Sequence, residues 1–172
     1  MLNYIKSPIF KLFFLLTFYF INVSPAMAHH GWYSFNTRDA YFASGTITYV
    51  RWGNPHSEVV FKLEDSKLPS GLSERALPPG ADQSLATATI ESARPYAGEH
   101  SELRLVLAGP SWMERWGLNR PLKVGEKIEV LGFLSSSEDQ ELRPMMFWLD
   151  DGQGVWQQLT SLPQRPEPAT NQ

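Results

Sequence analysis

Glu102-Leu-Arg-Leu-Val-Leu-Ala108, Gly109-Pro-Ser-Trp-Met-Glu-Arg-Trp-Gly117 and Lys127-Ile-Glu-Val-Leu-Gly-Phe-Leu134 follow one another along the chain, and their reading decides the fold. Leu103, Leu105 and Leu107 alternate with other residues, which is the period of a strand with one buried face. Gly109-Pro110-Ser111 then starts a short helix. Ser111 is the expected N-cap, and Glu114 stands three residues on, at capping-box spacing. Trp112 and Trp116 share a helix face at i, i+4, and Gly117 is placed to end the helix. Residues 122–126 turn the chain into the strand 127–134, with Ile128, Val130 and Gly132 directed inward. The local order is therefore strand, helix, strand.

Working outward, two strands precede this unit. Residues 44–52 alternate and are rich in Thr, Ile, Tyr and Val. Gly53-Asn54-Pro55 breaks them, because proline removes a backbone donor and biases its predecessor away from helix. Residues 57–63 form the second strand, with Val59, Phe61 and Leu63 on one face and Glu58, Val60 and Lys62 on the other. Downstream, residues 135–140 read as a polar hairpin loop, 141–149 as a fifth strand, and Asp150-Asp151-Gly152 as a turn. Residues 155–159 are an expected edge strand. The order β-β-β-α-β-β predicts a mostly β fold, a small five-stranded OB-like Greek-key barrel with one short helix between the third and fourth strands. A β-sandwich is the alternative, and only the helix position separates the two.

Residues 66–101 are rich in Ser, Pro, Gly and Ala. So long a loop without structure is unusual in a compact domain, so a short strand is expected near 86–91 within a mobile excursion. Residues 29–42 hold Trp32, Tyr33, Phe35, Tyr41 and Phe42 and are read as an arm packed on the domain. Residues 163–172 are read as a disordered tail.

Residues 1–28 have the parts of a secretory signal. Lys6 and Lys11 supply positive charge, residues 12–23 an apolar run, and Ser24-Pro25 a break. Ala26-Met27-Ala28 offers a small-x-small cleavage site. An uncleaved anchor would need roughly 20 apolar residues, and this run is shorter. Cleavage after Ala28 is expected, with a periplasmic or secreted product and a single domain over 29–162. The chain has no cysteine, so it forms neither a lipoprotein anchor nor a disulfide.

The formal charge of the 172-residue chain is −3, and the signal takes two of its lysines with it. Nucleic-acid affinity comes mostly from Lys and Arg neutralising phosphates, so a nucleic-acid partner is not expected. No further segment of 29–172 is apolar enough to span a membrane, so no stable insertion is expected after cleavage.

Several motifs carry a resemblance: His29-His30 with Trp32-Tyr-Ser-Phe35, the strand Gly45-Thr-Ile-Thr-Tyr-Val-Arg-Trp52 running into Asn54-Pro55-His56, and Leu122-Lys-Val-Gly-Glu-Lys-Ile-Glu-Val-Leu-Gly132. Together they resemble a bacterial family of small exported proteins filed as a domain of unknown function. The resemblance spans most of 29–159, and the 66–101 stretch is longer than the family pattern. It implies export and a small β domain, and it implies no activity.

Four histidines offer metal chemistry: His29, His30, His56 and His100. Cleavage after Ala28 would leave a free amine on His29. That amine and the residue's own Nδ1 could then close a six-membered chelate ring, which no internal histidine can do. Both groups become neutral ligands near neutral pH at modest cost. His56, in a proline-fixed turn, is the expected further imidazole, with His30 the spare. Nitrogen ligands in tetragonal geometry favour Cu(II), so copper is the expected cofactor if one is bound. The competing expectation is that the histidines at the start are solvated and that His56 is a turn residue. His100 is read as a surface residue. Met145-Met146 is not read as a copper pair, because adjacent strand residues point to opposite faces.

Trp32, Tyr33, Tyr49 and Trp52 form a second expectation, a stacking platform for a sugar or peptidoglycan fragment. Packing of the barrel core and ends competes for the same rings. A third is a protein-interaction module of the cell envelope. Catalysis has little support. No Cys can act as nucleophile, and Gly-x-Ser-x-Gly, His-Glu-x-x-His and phosphate-binding glycine loops are missing. Glu64-Asp65 and Asp150-Asp151 fall at strand ends, where acids are solvated. The sequence thus predicts an exported binding domain of unassigned activity.

Overall fold

The computed structural model describes residues 32–157. The expected signal peptide, His29, His30 and the expected C-terminal tail lie outside the described residues. Seven strands form one sheet: β1 (Ala40–Arg51), β2 (His56–Asp65), β3 (Ala93–Pro95), β4 (Glu102–Ala108), β5 (Lys127–Leu134), β6 (Glu141–Leu149) and β7 (Gly154–Trp156). Its order is β2-β4-β6-β5-β1-β3, and a further β1–β2 pairing closes it on itself. Five strands, β1, β2, β4, β6 and β5, make the barrel. Because one sheet closes into a ring, the architecture is the OB-like barrel and not the sandwich. Among the described residues two α-helices accompany it, α1 (Gln83–Glu91) and α2 (Pro110–Arg115), and α2 lies between the third and fourth barrel strands.

The barrel closes because β1 bends far enough to pair with β2 on one side and β5 on the other. Register shifts at Ser44/Gly45 and Ile47/Tyr49 mark the bends. At Gly45 a Cβ would sit 1.9 Å from the Lys62 carbonyl oxygen, so only glycine lets the two strands approach. Gly132 plays the same part between β5 and β6, where a Cβ would lie 2.2 Å from the Arg143 carbonyl oxygen. Inside the barrel, Val59 and Phe61 of β2 meet Leu103, Leu105 and Leu107 of β4, and Ile128 and Val130 of β5.

Helix α2 starts two residues earlier than expected. Gly109 is the N-cap and Pro110 the first helical residue, so Ser111 lies inside the helix. Proline at that position has no N–H to orphan and a preset φ. Its end follows the expectation: Gly117 has φ +91°, its N–H reaches the Glu114 carbonyl, and Leu118 N–H reaches the Met113 carbonyl at 2.9 Å. Leu118 and Met113, both buried, complete this Schellman cap. Residues 86–91 are helix, not strand. Asp82 caps α1 by accepting from Leu85 N–H at 2.8 Å, and Leu85, Ala86, Thr89 and Ile90 form its buried face. Helical spacing and the cap outweigh the strand preference of Thr and Ile.

The 66–101 stretch is therefore a packed insertion and not a bare loop. Leu72, Leu85 and Ile90 join Trp32, Phe35, Leu131, Phe133 and Trp156 in a second cluster on the outside of β5 and β6. Those strands are buried on both faces, which is why Met145-Met-Phe-Trp-Leu149 is apolar throughout. Met145 and Met146 share that outer cluster because a bulge opposite Leu131 and Gly132 interrupts the alternation. No helix of the described residues is long and apolar enough to cross a membrane.

Candidate functional site

The Asn54-Pro55-His56 turn is tightly built. Its Asn54–Pro55 bond is cis. Ser57 Oγ accepts from Gly53 N–H at 3.3 Å, and Arg51 donates to the His56 carbonyl and to Glu58. A Cβ on Gly109 would lie 2.4 Å from Asn54 Oδ1, so the start of α2 rests on this turn. His56, half-buried, opens β2 opposite Ala108. His100 donates to or accepts from Asp139 across 2.8 Å and ties the insertion to the 135–140 turn. Among the described residues no cluster of three His, Asp or Glu side chains is placed to hold a metal. His29 and His30 are not among them.

The aromatic platform is not assembled as expected. Trp32 is 4% exposed and belongs to the second cluster. Its ring meets Phe133 edge-on at 5.7 Å, and the Arg143 guanidinium lies 4.9 Å above it. The ring faces are thus already occupied, and Trp32 is a packing residue. Arg143 lies over Phe35 as well, at 5.4 Å. Burial lowers its pKa to about 10, against a smaller opposing effect of Glu141, so it stays charged at neutral pH. Tyr49 is exposed and Trp52 is half-buried against the barrel core. The side chain of Tyr33 lies outside the described residues.

Among the described residues a concave surface lies elsewhere, where the insertion crosses the end of β6. Two hollows of about 420 and 410 Å³ adjoin there and share Ala76, Trp148 and Gly152. Arg75, Lys127, Glu129 and Asp150 surround the first. Pro78, Pro79, Trp116, Gln153 and Gly154 surround the second. One end of this groove is charged and the other is apolar and stiff. Arg75 covers the Trp148 ring at 5.1 Å and pairs with Glu129. Lys127 pairs with Glu64, whose carboxyl is held below its usual range, first by the Lys127 hydrogen bond and then by that from Thr46. Gln153 fixes the far wall by donating to the Gly117 carbonyl at 2.6 Å. Trp116 in turn packs on Trp112, with ring centroids 5.8 Å apart.

Sequence reasoning missed this groove. Trp148 sits in a strand that reads as core, and Pro78-Pro79 sits in a stretch that reads as a loop. The available signal was an indole two residues before the Asp150-Asp151-Gly152 turn. Comparison with protein-family models and with curated proteins gives no match.

Proposed function

We propose that this chain is an exported binding module of the cell envelope and that its binding site is the groove over Trp148. The groove carries the reading. Among the described residues it is a concave, partly apolar place where a few polar groups converge, as small-ligand and peptide sites are built. Export rests on the signal-like residues 1–28 and is tested by intact mass: the recovered protein should begin at His29. The groove is tested with a fragment library observed by saturation-transfer NMR. Ala76 is exposed and lines both hollows, so Ala76→Trp fills the groove without disturbing the core. Fragments that bind the wild type and not this variant support the reading, whereas fragments that bind both equally refute it.

A copper site is the second reading, and it rests on the chemistry of a free amine on His29 with a further imidazole from His56 or His30. Cu(II) titration of the chain starting at His29 is compared with a chain bearing one extra N-terminal residue. Tighter binding by the former supports it, and equal binding removes it.

A further inference from the structure

We infer that residues 71–80 form a strap that opens and closes over the groove, with Arg75 as its clasp. This inference rests on the groove being the binding site, because it names how that site is uncovered. Between residues 66 and 82 only Leu72 and Pro78 are buried. The backbone hydrogen bonds of residues 69–81 stay inside the segment: Leu72 N–H to Pro69, Glu74 N–H to Gly71, Arg75 N–H to Leu72 and Ala81 N–H to Pro78. Among the described residues none runs from this segment to a strand. Gly71 and Gly80 stand at its ends with φ +83° and +76°. Glycine absorbs a change of backbone angle at such points without a Cβ in the way. A segment with few buried apolar side chains and only local hydrogen bonds opens at a lower free energy than the whole fold.

What the strap covers is Trp148. That side chain belongs to the second cluster and is 7% exposed. The Arg75 guanidinium lies over its ring at 5.1 Å while it pairs with Glu129 of β5. Pro78 closes the other side. A Cβ on Gly154 would lie 3.1 Å from both Pro78 Cγ and Trp148 Cδ1, so Gly154 lets the proline pack directly between β7 and the indole edge. Leu72 and half-buried Leu77 complete the hold on the second cluster. The Arg75–Glu129 pair is partly exposed, so water replaces it at little cost. Lifting the strap takes Arg75 off the ring and leaves an open indole face at the floor of a wider groove. A ligand that stacks on that face is admitted only by the open state. Its apparent affinity is therefore reduced by the fraction of molecules that are open.

The test staples the strap in the chain starting at His29. The chain has no cysteine, and the close approach of Pro78 to Gly154 suits the ~3.8 Å between the Cβ atoms of a disulfide. The Pro78→Cys/Gly154→Cys variant is therefore closed by oxidation and released by reduction. Hydrogen exchange of the indole Nε1–H groups, followed by NMR, compares Trp148 with fully buried Trp156, which reports unfolding of the whole domain. In wild type and in the reduced variant, Trp148 should exchange about tenfold faster than Trp156, and oxidation should remove most of that difference. Arg75→Ala should speed Trp148 about fivefold and leave Trp156 unmoved. Equal rates for the two indoles in wild type overturn the inference, as does a Trp148 rate indifferent to both the staple and Arg75→Ala. Fragments that bind wild type and not Ala76→Trp should bind the oxidised variant about tenfold more weakly than the reduced one. Equal binding shows that the strap does not control the groove, and the inference fails while the groove reading survives. If no fragment binds in the groove while Trp148 still answers to the staple, the groove reading fails and the motion of the strap stands.

Discussion

The side-chain oxygen of Gln157 accepts a hydrogen bond from the backbone N–H of Ala108 at 2.9 Å, so a side-chain amide closes the barrel where β4 and β6 part. Backbone pairing of these strands covers only Arg104 with Glu141 and Leu105 with Leu142. Beyond it, Gln157 Nε2 donates to the carbonyls of Val106 at 3.1 Å and Pro144 at 3.0 Å. The fully buried amide thus supplies one acceptor and two donors, as a strand would.

Gln157→Leu orphans three backbone groups, two of them buried and the Val106 carbonyl half-buried, and should cost about 3 kcal/mol in urea unfolding. Gln157→Glu keeps the acceptor and loses the donors. Its buried carboxyl will have a raised folded-state pKa, so the variant should recover stability as pH falls and lose it as pH rises through the carboxylate range. A neutral outcome for Gln157→Leu would show that the seam is held by other contacts.

Gly45 and Gly53 sit eight residues apart on quite different ground. A Cβ at Gly45 meets the Lys62 carbonyl oxygen at 1.9 Å, whereas at Gly53 it meets nothing within 4 Å. Gly45→Ala should destabilise the barrel by about 3 kcal/mol and Gly53→Ala by less than about 0.5 kcal/mol. Similar melting temperatures for the two variants would contradict the close approach of β1 and β2.

Glu64 links β2 to β5 through Lys127 and to β1 through Thr46. Its folded-state pKa lies below the ordinary 4.5. The contribution is therefore fully present above that value and is lost as pH falls through the folded pKa. Wild type should exceed Glu64→Gln in stability at pH 7, and the two should converge in acid. A gap that persists at the acid end would assign the difference to packing.

Trp32 and Tyr49 separate packing from display. Trp32→Ala empties a buried site and should cost about 3–5 kcal/mol, while exposed Tyr49→Ala should change stability by less than about 0.5 kcal/mol. Near-equal effects in thermal unfolding would return Trp32 to the surface.

The barrel was legible because its strands keep period two over one buried face, as at Val59-Val-Phe61 and Leu103-Arg-Leu105, and because Gly117 announces the end of α2. The insertion was not legible, because Thr87, Thr89 and Ile90 favour strands and only tertiary burial makes them helical. The bulge that puts Met145 and Met146 on the same side leaves no mark in residue type. Trp32 read as a displayed ring because nothing local foretells Phe133 beneath it or Arg143 above it. The groove joins Arg75, Trp116 and Trp148, residues far apart in sequence that only the closed fold brings together.

The most direct measurement follows the indole Nε1–H resonances of the ¹⁵N-labelled protein, assigned through Trp148→Phe, while a fragment or peptide ligand is added. Binding in the groove should shift the Trp148 indole signal together with the backbone amides of Gly152 and Gly154. Shifts that leave those signals in place and move Tyr49 and Trp52 would put the binding site on another face of the barrel.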